Sequence, residues 1–228
     1  MPDAPPSRLP DAGGPSAAAI RAIADRVAAL PRGRRIVALA GPPGAGKSTL
    51  ADALAARLHR AAVLPMDGYH YDDALLRQRG LLPRKGAPET FDVGGLAHML
   101  DRLRANVEPE IVVPVFDRDI EVSRGSARAI PREVQTILAE GNWLLLDEPP
   151  WSALAGRFDL TIWLDVPMAE LDRRLTERWA GYGLTGDAMA AKMVGNDRPN
   201  VRRAILGSRP ADIVLRADGA LSEGGPRA

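Results

Sequence analysis

The chain has 228 residues, of which 46% are hydrophobic and 26% are charged, and its formal net charge at pH 7 is +1. This near-neutral charge argues against a large nucleic-acid interface, and the lack of cysteine excludes disulfides and thiolate metal sites. Because no apolar run reaches the roughly 20 residues that span a bilayer, we expect a soluble, cytoplasmic protein.

The amino-terminal segment, residues 1–15, is rich in proline, alanine and glycine and is predicted to be a disordered lead-in rather than a signal peptide. A single domain is predicted to follow over residues 16–217, and residues 218–228 are expected to form a flexible tail. The domain begins with four apolar residues at helical spacing, Ile20, Ile23, Val27 and Leu30.

The most specific motif lies at residues 41–48, which read Gly-Pro-Pro-Gly-Ala-Gly-Lys-Ser and satisfy the phosphate-binding P-loop pattern, also called Walker A. An apolar strand is predicted before it and a helix after it. In such a turn, glycines let backbone N–H groups converge on an anion, and the helix N-terminus adds a partial positive charge. Lys47 would reach the outer phosphates, and the Ser48 hydroxyl would bind Mg²⁺. The predicted nucleotide-binding residues are Gly41, Pro42, Pro43, Gly44, Ala45, Gly46, Lys47, Ser48 and Thr49.

A second short strand is predicted over residues 61–66 and ends directly before Asp67. From this position a carboxylate could take a proton from an attacking hydroxyl as general base, although Asp-Gly is also a common turn pair. Tyr69 and His70 could contact an acceptor, and His70 could equally be an ordinary surface residue. Glycine and proline residues predict an excursion around the active site over about 68–92.

The central part of the chain contains a predicted helix over 95–105 and then an apolar segment with a proline. Because proline cannot donate a backbone hydrogen bond, residues 111–116 are predicted to be a short edge element, followed by a loop over 118–131. Glu140 closes the next apolar strand, and a buried carboxylate needs a partner or a metal. Mg²⁺ beside Ser48 is the natural candidate, and hydrogen bonds to the backbone are the alternative.

Three arginines stand on a helix predicted to follow the apolar strand at residues 160–165. Arg174 and Arg178 are four residues apart and therefore share a face of that helix. They could converge on a transferring phosphoryl group and neutralise its charge. The alternative is a solvated face on which Glu170 pairs with Arg174, with Arg173 beside them.

The alternation of apolar strands and helices, which ends with a strand over 211–215, predicts an α/β protein. Together with the P-loop it indicates the P-loop NTPase fold, a mostly parallel five-stranded sheet with helices on both faces. Trp143 and Trp151 flank a leucine-rich segment. Core packing is the expected role of both tryptophans, and a wall of the acceptor pocket is the alternative.

Taken together, these motifs resemble those of the P-loop small-molecule kinases grouped with uridine kinase, phosphoribulokinase and bacterial pantothenate kinase. Within this group the chain is most similar to the bacterial proteins called nucleoside/nucleotide kinase family or fructose transport system kinases. The resemblance covers nearly the whole chain after Arg35. It rests on six segments, which are residues 41–49, 66–70, 86–92, 113–118, 140–147 and 195–200.

The resemblance implies ATP and Mg²⁺ as cofactors and assigns roles to several charged residues. Asp67 matches the proposed catalytic base of the group. Glu140 matches the acidic residue that ends the Walker-B-like strand near Mg²⁺. Arg174 and Arg178 match the arginines of a lid, which is expected over about 173–190.

The resemblance also implies residues that contact the two substrates. Asp92 falls where relatives shape the acceptor pocket. Phe116, Asp117 and Arg118 fall where uridine kinases have a Tyr-Asp pair, but Phe116 lacks the tyrosine hydroxyl, which argues against uridine as acceptor. With Tyr69 and His70, which the resemblance does not assign, the predicted acceptor-site residues are Asp67, Tyr69, His70, Asp92, Phe116, Arg118 and Glu140. The resemblance places Asn196, Pro199 and Asn200 near the adenine.

We therefore expect an ATP- and Mg²⁺-dependent kinase that phosphorylates a hydroxyl of a nucleoside, a sugar or a pantothenate-like alcohol. The expected partner is this small-molecule acceptor, without nucleic acid or membrane, and a homodimer is compatible with these features. One alternative is a regulatory P-loop NTPase that hydrolyses ATP to drive a partner, although guanine-reading and transporter-ATPase signatures are lacking. A second is a nucleotide-binding pseudo-kinase, against which four intact residues argue: Lys47, Ser48, Asp67 and Glu140.

Overall fold

A computed structural model describes residues 15–224, in which a parallel sheet lies between two layers of helices. The strands are β1 (Arg35–Ala40), β2 (Ala61–Pro65), β3 (Glu110–Asp117), β4 (Val122–Pro131), β5 (Thr136–Gly141), β6 (Leu160–Asp165), β7 (Ile213–Arg216) and β8 (Leu221–Glu223). The helices are α1 (Ala17–Ala28), α2 (Lys47–Arg57), α3 (Asp73–Gln78), α4 (Val93–Ala105), α5 (Met168–Gly181), α6 (Gly186–Lys192) and α7 (Arg198–Gly207). Over these described residues, none of the helices is long and apolar enough to cross a bilayer.

The main sheet has the strand order β2-β5-β1-β6-β7-β8, and its first five strands run parallel. The predicted α/β class and five parallel strands are therefore confirmed. Parallel sheets are covered on both faces, and the apolar side chains of these strands divide between two hydrophobic clusters, one on each face. β1 is the centre of the sheet, since it pairs with both β5 and β6.

The carboxyl-terminal end differs from the flexible tail expected from residue 218. After β7 the chain turns at Gly219, whose φ of +85° suits glycine, and returns as β8, antiparallel to β7. Glu223 of β8 forms an ion pair with Arg26 of α1 at 2.6 Å. Residues 225–228 of the expected tail, and residues 1–14 of the expected lead-in, lie outside the described residues.

A second, two-stranded sheet stands apart from the main one and corrects the predicted loop over 118–131. β3 and β4 form an antiparallel hairpin, and the register shifts between Val113 and Val115. Pro114 lies at this shift, where its missing N–H removes no regular ladder bond. The hairpin rests on Gly68: a Cβ there would stand 2.5 Å from the Pro114 carbonyl oxygen, and the Ser123 hydroxyl donates to the Gly68 carbonyl.

The excursion predicted over residues 68–92 consists of short helical turns around α3 and is fastened by two tryptophans. Trp143 and Trp151 are almost fully buried, as expected for core residues. Their indole N–H groups donate to the carbonyls of Gly86 and Pro88, each at 3.1 Å. The tryptophans thus fix one side of the excursion to the core beneath it.

Arg34 stands at the entry to β1 and is a buried cation that joins three segments of the chain. Its guanidinium is 8% exposed and donates to backbone carbonyls instead of carboxylates. The four accepting carbonyls, at 2.7–3.3 Å, belong to Leu103, Pro131, Arg132 and Val134. Burial lowers the pKa of Arg34, so these carbonyls carry most of its stabilisation.

We predict that Arg34→Met lowers the free energy of unfolding by about 2–4 kcal/mol, because it leaves buried carbonyls without donors. Urea denaturation followed by circular dichroism measures the effect. Arg32→Met changes an exposed arginine two residues earlier and serves as the matched control, expected within about 0.5 kcal/mol of wild type. Equal midpoints for the two variants would contradict the role given to Arg34.

Candidate active site

The phosphate-binding loop joins the central strand β1 to α2 at the carboxyl edge of the sheet. Gly44 and Gly46 have φ values of +82° and +93°, a conformation that L side chains rarely adopt. Gly46 is the N-cap of α2, and no side chain within residues 15–224 caps it. The N–H groups of the first turn are therefore available to an anion, and the loop fits the phosphates of a nucleotide.

Lys47 is the first residue of α2 and is buried, with only 8% of its surface exposed. Its Nζ donates to the Pro42 carbonyl at 3.0 Å, across the loop. Burial lowers the pKa of Lys47 to about 8, although the negative charges of Glu140 and Asp67 oppose this shift. The Lys47 ammonium has three N–H donors, and its bond to the Pro42 carbonyl holds it inside the loop. The remaining donors can bind a phosphate oxygen there.

Two carboxylates stand at the carboxyl ends of β5 and β2, which are the first and second strands on one side of β1. Glu140 belongs to β5, and in the sheet register it faces Leu39 of β1 and Pro65 of β2. Asp67 stands two residues after Pro65, in a short 3-10 turn over Met66–Tyr69. Since the strands are adjacent and parallel, Lys47, Glu140 and Asp67 meet at the same edge of the sheet.

Asp67 forms an ion pair with Arg118, which extends from the β3–β4 hairpin. The Arg118 guanidinium donates to Oδ2 of Asp67 at 2.7 Å, whereas Oδ1 makes no hydrogen bond to another described residue. Burial alone would raise the pKa of Asp67, but the positive charges of protonated His70, Arg118 and Lys47 hold it below its usual value. Asp67 is therefore ionised at neutral pH, with one oxygen held and one available.

Glu140 is buried, with 9% of its surface exposed, and its carboxylate lies near the hydroxyl of Ser48 in α2, which favours the charged form. Burial and the nearby charge of Asp67 raise the pKa of Glu140 to about 7. The expectation that Mg²⁺ beside Ser48 compensates Glu140 stays a prediction. A hydroxyl and a carboxylate that lacks a cation are oxygen ligands of the kind Mg²⁺ takes, so the two residues fit this ion.

The arginines of α5 separate into three environments. Arg173 is exposed and pairs with Glu170 and Glu177. Arg174 pairs with Glu170 at 2.7 Å but also donates to the carbonyls of Gly44 and Ala45 in the P-loop, at 3.3 and 3.4 Å. Arg174 therefore forms the ion pair with Glu170 and also lies against the phosphate-binding loop, and its contact with a phosphoryl group stays a prediction.

Arg178 extends from the next turn of α5 into a cavity of about 360 Å³ that adjoins the P-loop. The Arg178 guanidinium makes no hydrogen bond or ion pair with any other residue of 15–224 and lies 5.6 Å from the ring of Trp179. Burial and the charge of Arg118 lower the pKa of Arg178. The cavity is lined by Pro43, Asp67, His70, Lys85, Gly86, Phe91, Phe116, Arg118, Glu121, Asn142, Arg178, Trp179, Tyr182, Lys192, Asn196, Asp197 and Asn200.

The structure brings some of the predicted acceptor residues to this cavity and excludes others. His70, Phe116 and Arg118 line it. Tyr69 does not: its ring is 7% exposed and packs in the core, and its hydroxyl has no hydrogen-bond partner among the described residues. Asp92 is exposed and caps α4, accepting from the Gly95 N–H at 2.8 Å.

Two of the three residues expected near the adenine line the same cavity as Asp67, and their contact with adenine stays a prediction. Asn196 and Asn200 are buried in the wall of the same cavity as Asp67, and Asn196 donates to the Lys85 carbonyl at 3.0 Å. Pro199 is exposed in the first turn of α7. The structure thus groups the two asparagines with the acceptor side of the site.

Sequence reasoning missed several residues of the cavity, among them Lys85 and Lys192. Lys85 donates to Asp73 at 2.7 Å and to the Glu121 carbonyl at 2.6 Å, so it joins α3 to the turn of the hairpin. Lys192 lies 4.8 Å from the ring of Trp179. Neither stands at the end of a strand of the main sheet, which was the signal that located Asp67 and Glu140.

A P-loop follows the central strand β1 of a parallel sheet, and carboxylates stand at the ends of β5 beside it and of β2 beyond β5. This arrangement defines a P-loop nucleotide-binding protein of the kinase type. No protein-family model matches the chain. The uncharacterised protein YggC of Escherichia coli K12 is 38% identical over 191 residues, which cover 81% of this chain and 78% of YggC. A candidate fructose transport system kinase of known structure, from Silicibacter sp. TM1040, is 42% identical with a TM-score of 0.78 and covers 86% of this chain and 97% of its own.

Pantothenate kinase of Sorangium cellulosum is 34% identical over 186 residues, which cover 77% of this chain but only 60% of that enzyme. The chain therefore belongs to the group of P-loop kinases that includes uridine-kinase-like proteins, pantothenate kinase and phosphoribulokinase. This confirms the resemblance that the sequence motifs indicate.

We predict that Lys47→Met abolishes nucleotide binding and leaves the nucleotide-free fold intact. Because Lys47 is a buried cation, its replacement by an apolar side chain should keep the free energy of unfolding or raise it by up to about 2 kcal/mol. Urea denaturation with and without Mg²⁺ and ATP measures both effects, since a bound ligand stabilises the folded state.

Asp52→Asn, at an exposed position of the same helix, is the control and should keep the stabilisation by nucleotide. Equal stabilisation of the Lys47→Met variant by nucleotide would overturn the assignment of Lys47 to the phosphates.

Proposed function

We propose that this protein is an ATP- and Mg²⁺-dependent kinase that transfers the γ-phosphate to a hydroxyl of a small metabolite. The observation that carries the proposal is the position of Asp67: an ionised carboxylate, next to the P-loop lysine, in the wall of a cavity of about 360 Å³. Family membership supports a kinase. The cavity supports a small acceptor bound beside the phosphates.

In this proposal Asp67 orients the acceptor and takes its proton. Arg118 holds Oδ2, so Oδ1 receives the hydroxyl hydrogen as the oxygen attacks the γ-phosphorus. The new P–O bond forms while the bond from the γ-phosphorus to the β–γ bridging oxygen breaks, and ADP leaves. The low pKa of Asp67 suits a transition state in which positioning matters more than strong proton abstraction.

The negative charge of the transferred group would be balanced from several sides. Lys47 contacts it from the P-loop, and Arg174, which already reaches the carbonyls of Gly44 and Ala45, contacts it from α5. Arg178 faces it from the acceptor cavity. Ser48 and Glu140 would hold Mg²⁺, which supplies further charge neutralisation when it is bound.

The names of the relatives point to different compounds: one is a pantothenate kinase, and the Silicibacter protein is a candidate kinase of a fructose transport system. We propose an acceptor from the same range, a nucleoside, a sugar or a pantothenate-like alcohol. The alternative of a regulatory NTPase is less well supported, because a hydrolytic water does not need a cavity walled by Phe91 and Phe116 beside Asp67.

We predict that Asp67→Asn lowers kcat by roughly 10²-fold or more and spares ATP binding, because the variant loses the proton acceptor but keeps the P-loop. Steady-state kinetics and nucleotide titration measure the two effects. Asp92→Asn is the matched control: Asn is also a good helix cap, and Asp92 lies outside the cavity. Equal kcat values for Asp67→Asn and wild type would reduce Asp67 to a turn residue.

A screen of ATP consumption with Mg²⁺ tests the reaction class directly. Pools of nucleosides, sugars, sugar phosphates and pantothenate-like alcohols are added to the purified protein, and we expect one pool to stimulate ATP consumption strongly. ATP hydrolysis at a rate indifferent to every pool would instead support the regulatory NTPase.

A further inference from the structure

His70 lies in the wall of the acceptor cavity, three residues after the carboxylate proposed to take the proton. Its ring packs against two phenylalanines, with ring-centre distances of 4.0 Å to Phe91 and 4.8 Å to Phe116. These contacts fix the plane of the imidazole and leave its two nitrogens as its polar groups. The direction in which each nitrogen can donate or accept is therefore set by its neighbours.

The first nitrogen is committed to the backbone. Nδ1 of His70 lies 2.8 Å from the carbonyl oxygen of Asp67. A carbonyl oxygen only accepts hydrogen bonds, so Nδ1 must carry the hydrogen. This bond selects the Nδ1–H tautomer and ties the imidazole to the backbone of the residue whose carboxylate faces the acceptor.

The second nitrogen is left as an acceptor. Nε2 makes no hydrogen bond with any residue of the described part of the chain, and it is not sealed away from solvent. Burial lowers the pKa of His70, while the charge and carbonyl of Asp67 oppose this and Lys85 and Arg118 add to it. The ring is then neutral near pH 7, and Nε2 keeps a lone pair.

We propose that His70 is a specificity-determining residue, whose Nε2 accepts a hydrogen bond from a second hydroxyl of the phosphoryl acceptor. The acceptor is then a compound with at least two hydroxyl groups: one donates to Oδ1 of Asp67 and reacts, and the other donates to His70. A monohydroxyl compound leaves Nε2 without a partner. A carboxylate or carbonyl at this point meets a lone pair and is disfavoured.

The inference rests on the proposed kinase function for the identity of the ligand but not for the state of the imidazole. The chain contains three histidines, His59, His70 and His98, so the side-chain nitrogens of each can be followed in ¹⁵N-histidine-labelled protein. We expect the unprotonated-nitrogen resonance of His70 to belong to Nε2, identified by its loss in His70→Gln. A spectrum that assigns the hydrogen to Nε2, or an imidazolium at pH 7, overturns the proposal whether or not the protein is a kinase.

Addition of ligand tests the contact itself. Uridine, D-fructose, D-glycerate and pantothenate, each with two or more hydroxyls, are added to the labelled protein together with Mg²⁺ and a non-hydrolysable ATP analogue. The compound that stimulates ATP consumption should shift the Nε2 resonance in the direction of an accepted hydrogen bond. If a compound is phosphorylated without moving Nε2, or if none of the four moves it, the contact is overturned.

Two substitutions separate acceptor recognition from support of Asp67. His70→Asn places an amide nitrogen near the position of Nδ1, so it keeps the bond to the Asp67 carbonyl and loses the acceptor at Nε2. His70→Gln reaches the position of Nε2 with an amide oxygen and loses the bond to the carbonyl. The control is His59→Gln, at an exposed position away from the cavity.

We expect His70→Asn to lower kcat/KM for the phosphorylated compound by roughly 10-fold or more, mainly through KM, and His70→Gln to lower it less. A matched analogue of the phosphorylated compound that lacks the second hydroxyl is tested as well. For this analogue, kcat/KM should be the same in His70→Asn and wild type, because Nε2 has no hydroxyl to bind. A normal His70→Asn with a reduced kcat in His70→Gln would show that His70 only positions Asp67. If no compound stimulates ATP consumption, the kinase proposal fails, and the NMR titration alone decides the contact of His70 with a polyhydroxylated ligand.

Discussion

The burial of opposite charges at one edge of the sheet is the constraint on which the rest of this structure depends. Lys47 follows the P-loop after β1, Glu140 belongs to the adjacent strand β5, and Asp67 follows β2 beside it. Each is removed from water far enough for its pKa to shift. Arg118 and Arg178 are added to this group from outside the sheet. Buried charges are tolerated when partners or ligands compensate them, and in the proposed reaction the nucleotide phosphates and Mg²⁺ would join this group.

The hairpin of β3 and β4 and the helix α5 complete the site from opposite sides. The hairpin approaches Asp67 closely because Gly68 has no side chain, and it delivers Arg118 to one carboxylate oxygen. Helix α5 delivers Arg174 to the carbonyls of the P-loop. In the proposed reaction the hairpin therefore contacts the acceptor side and α5 contacts the nucleotide side, with the edge of the sheet between them.

The sequence predicted the parts of the site that follow directly from strand ends and failed where distant segments meet. The P-loop is evident from its motif, Asp67 because it follows a short apolar strand, and Glu140 because it closes one. Strand β4 was missed because most of its residues, such as Arg124 and Arg128, are exposed and polar and give no apolar alternation. Lys85 and Lys192 enter the cavity only through tertiary packing, which no local pattern reports. Asp92 was misplaced because its carboxylate caps a helix.

The proposed acceptor cavity is lined almost entirely by segments outside the main sheet. These segments are the excursion before α4, the hairpin, and the region from α5 to α7. These segments supply none of the strands of the main sheet, although Phe91, Val113 and Leu171 among them join the hydrophobic clusters. Substitution of the polar side chains that line the cavity can thus alter which metabolite is recognised without changing the strand pairing of the main sheet. The sheet edge that carries the P-loop and the segments that form the cavity are therefore separable parts of one domain.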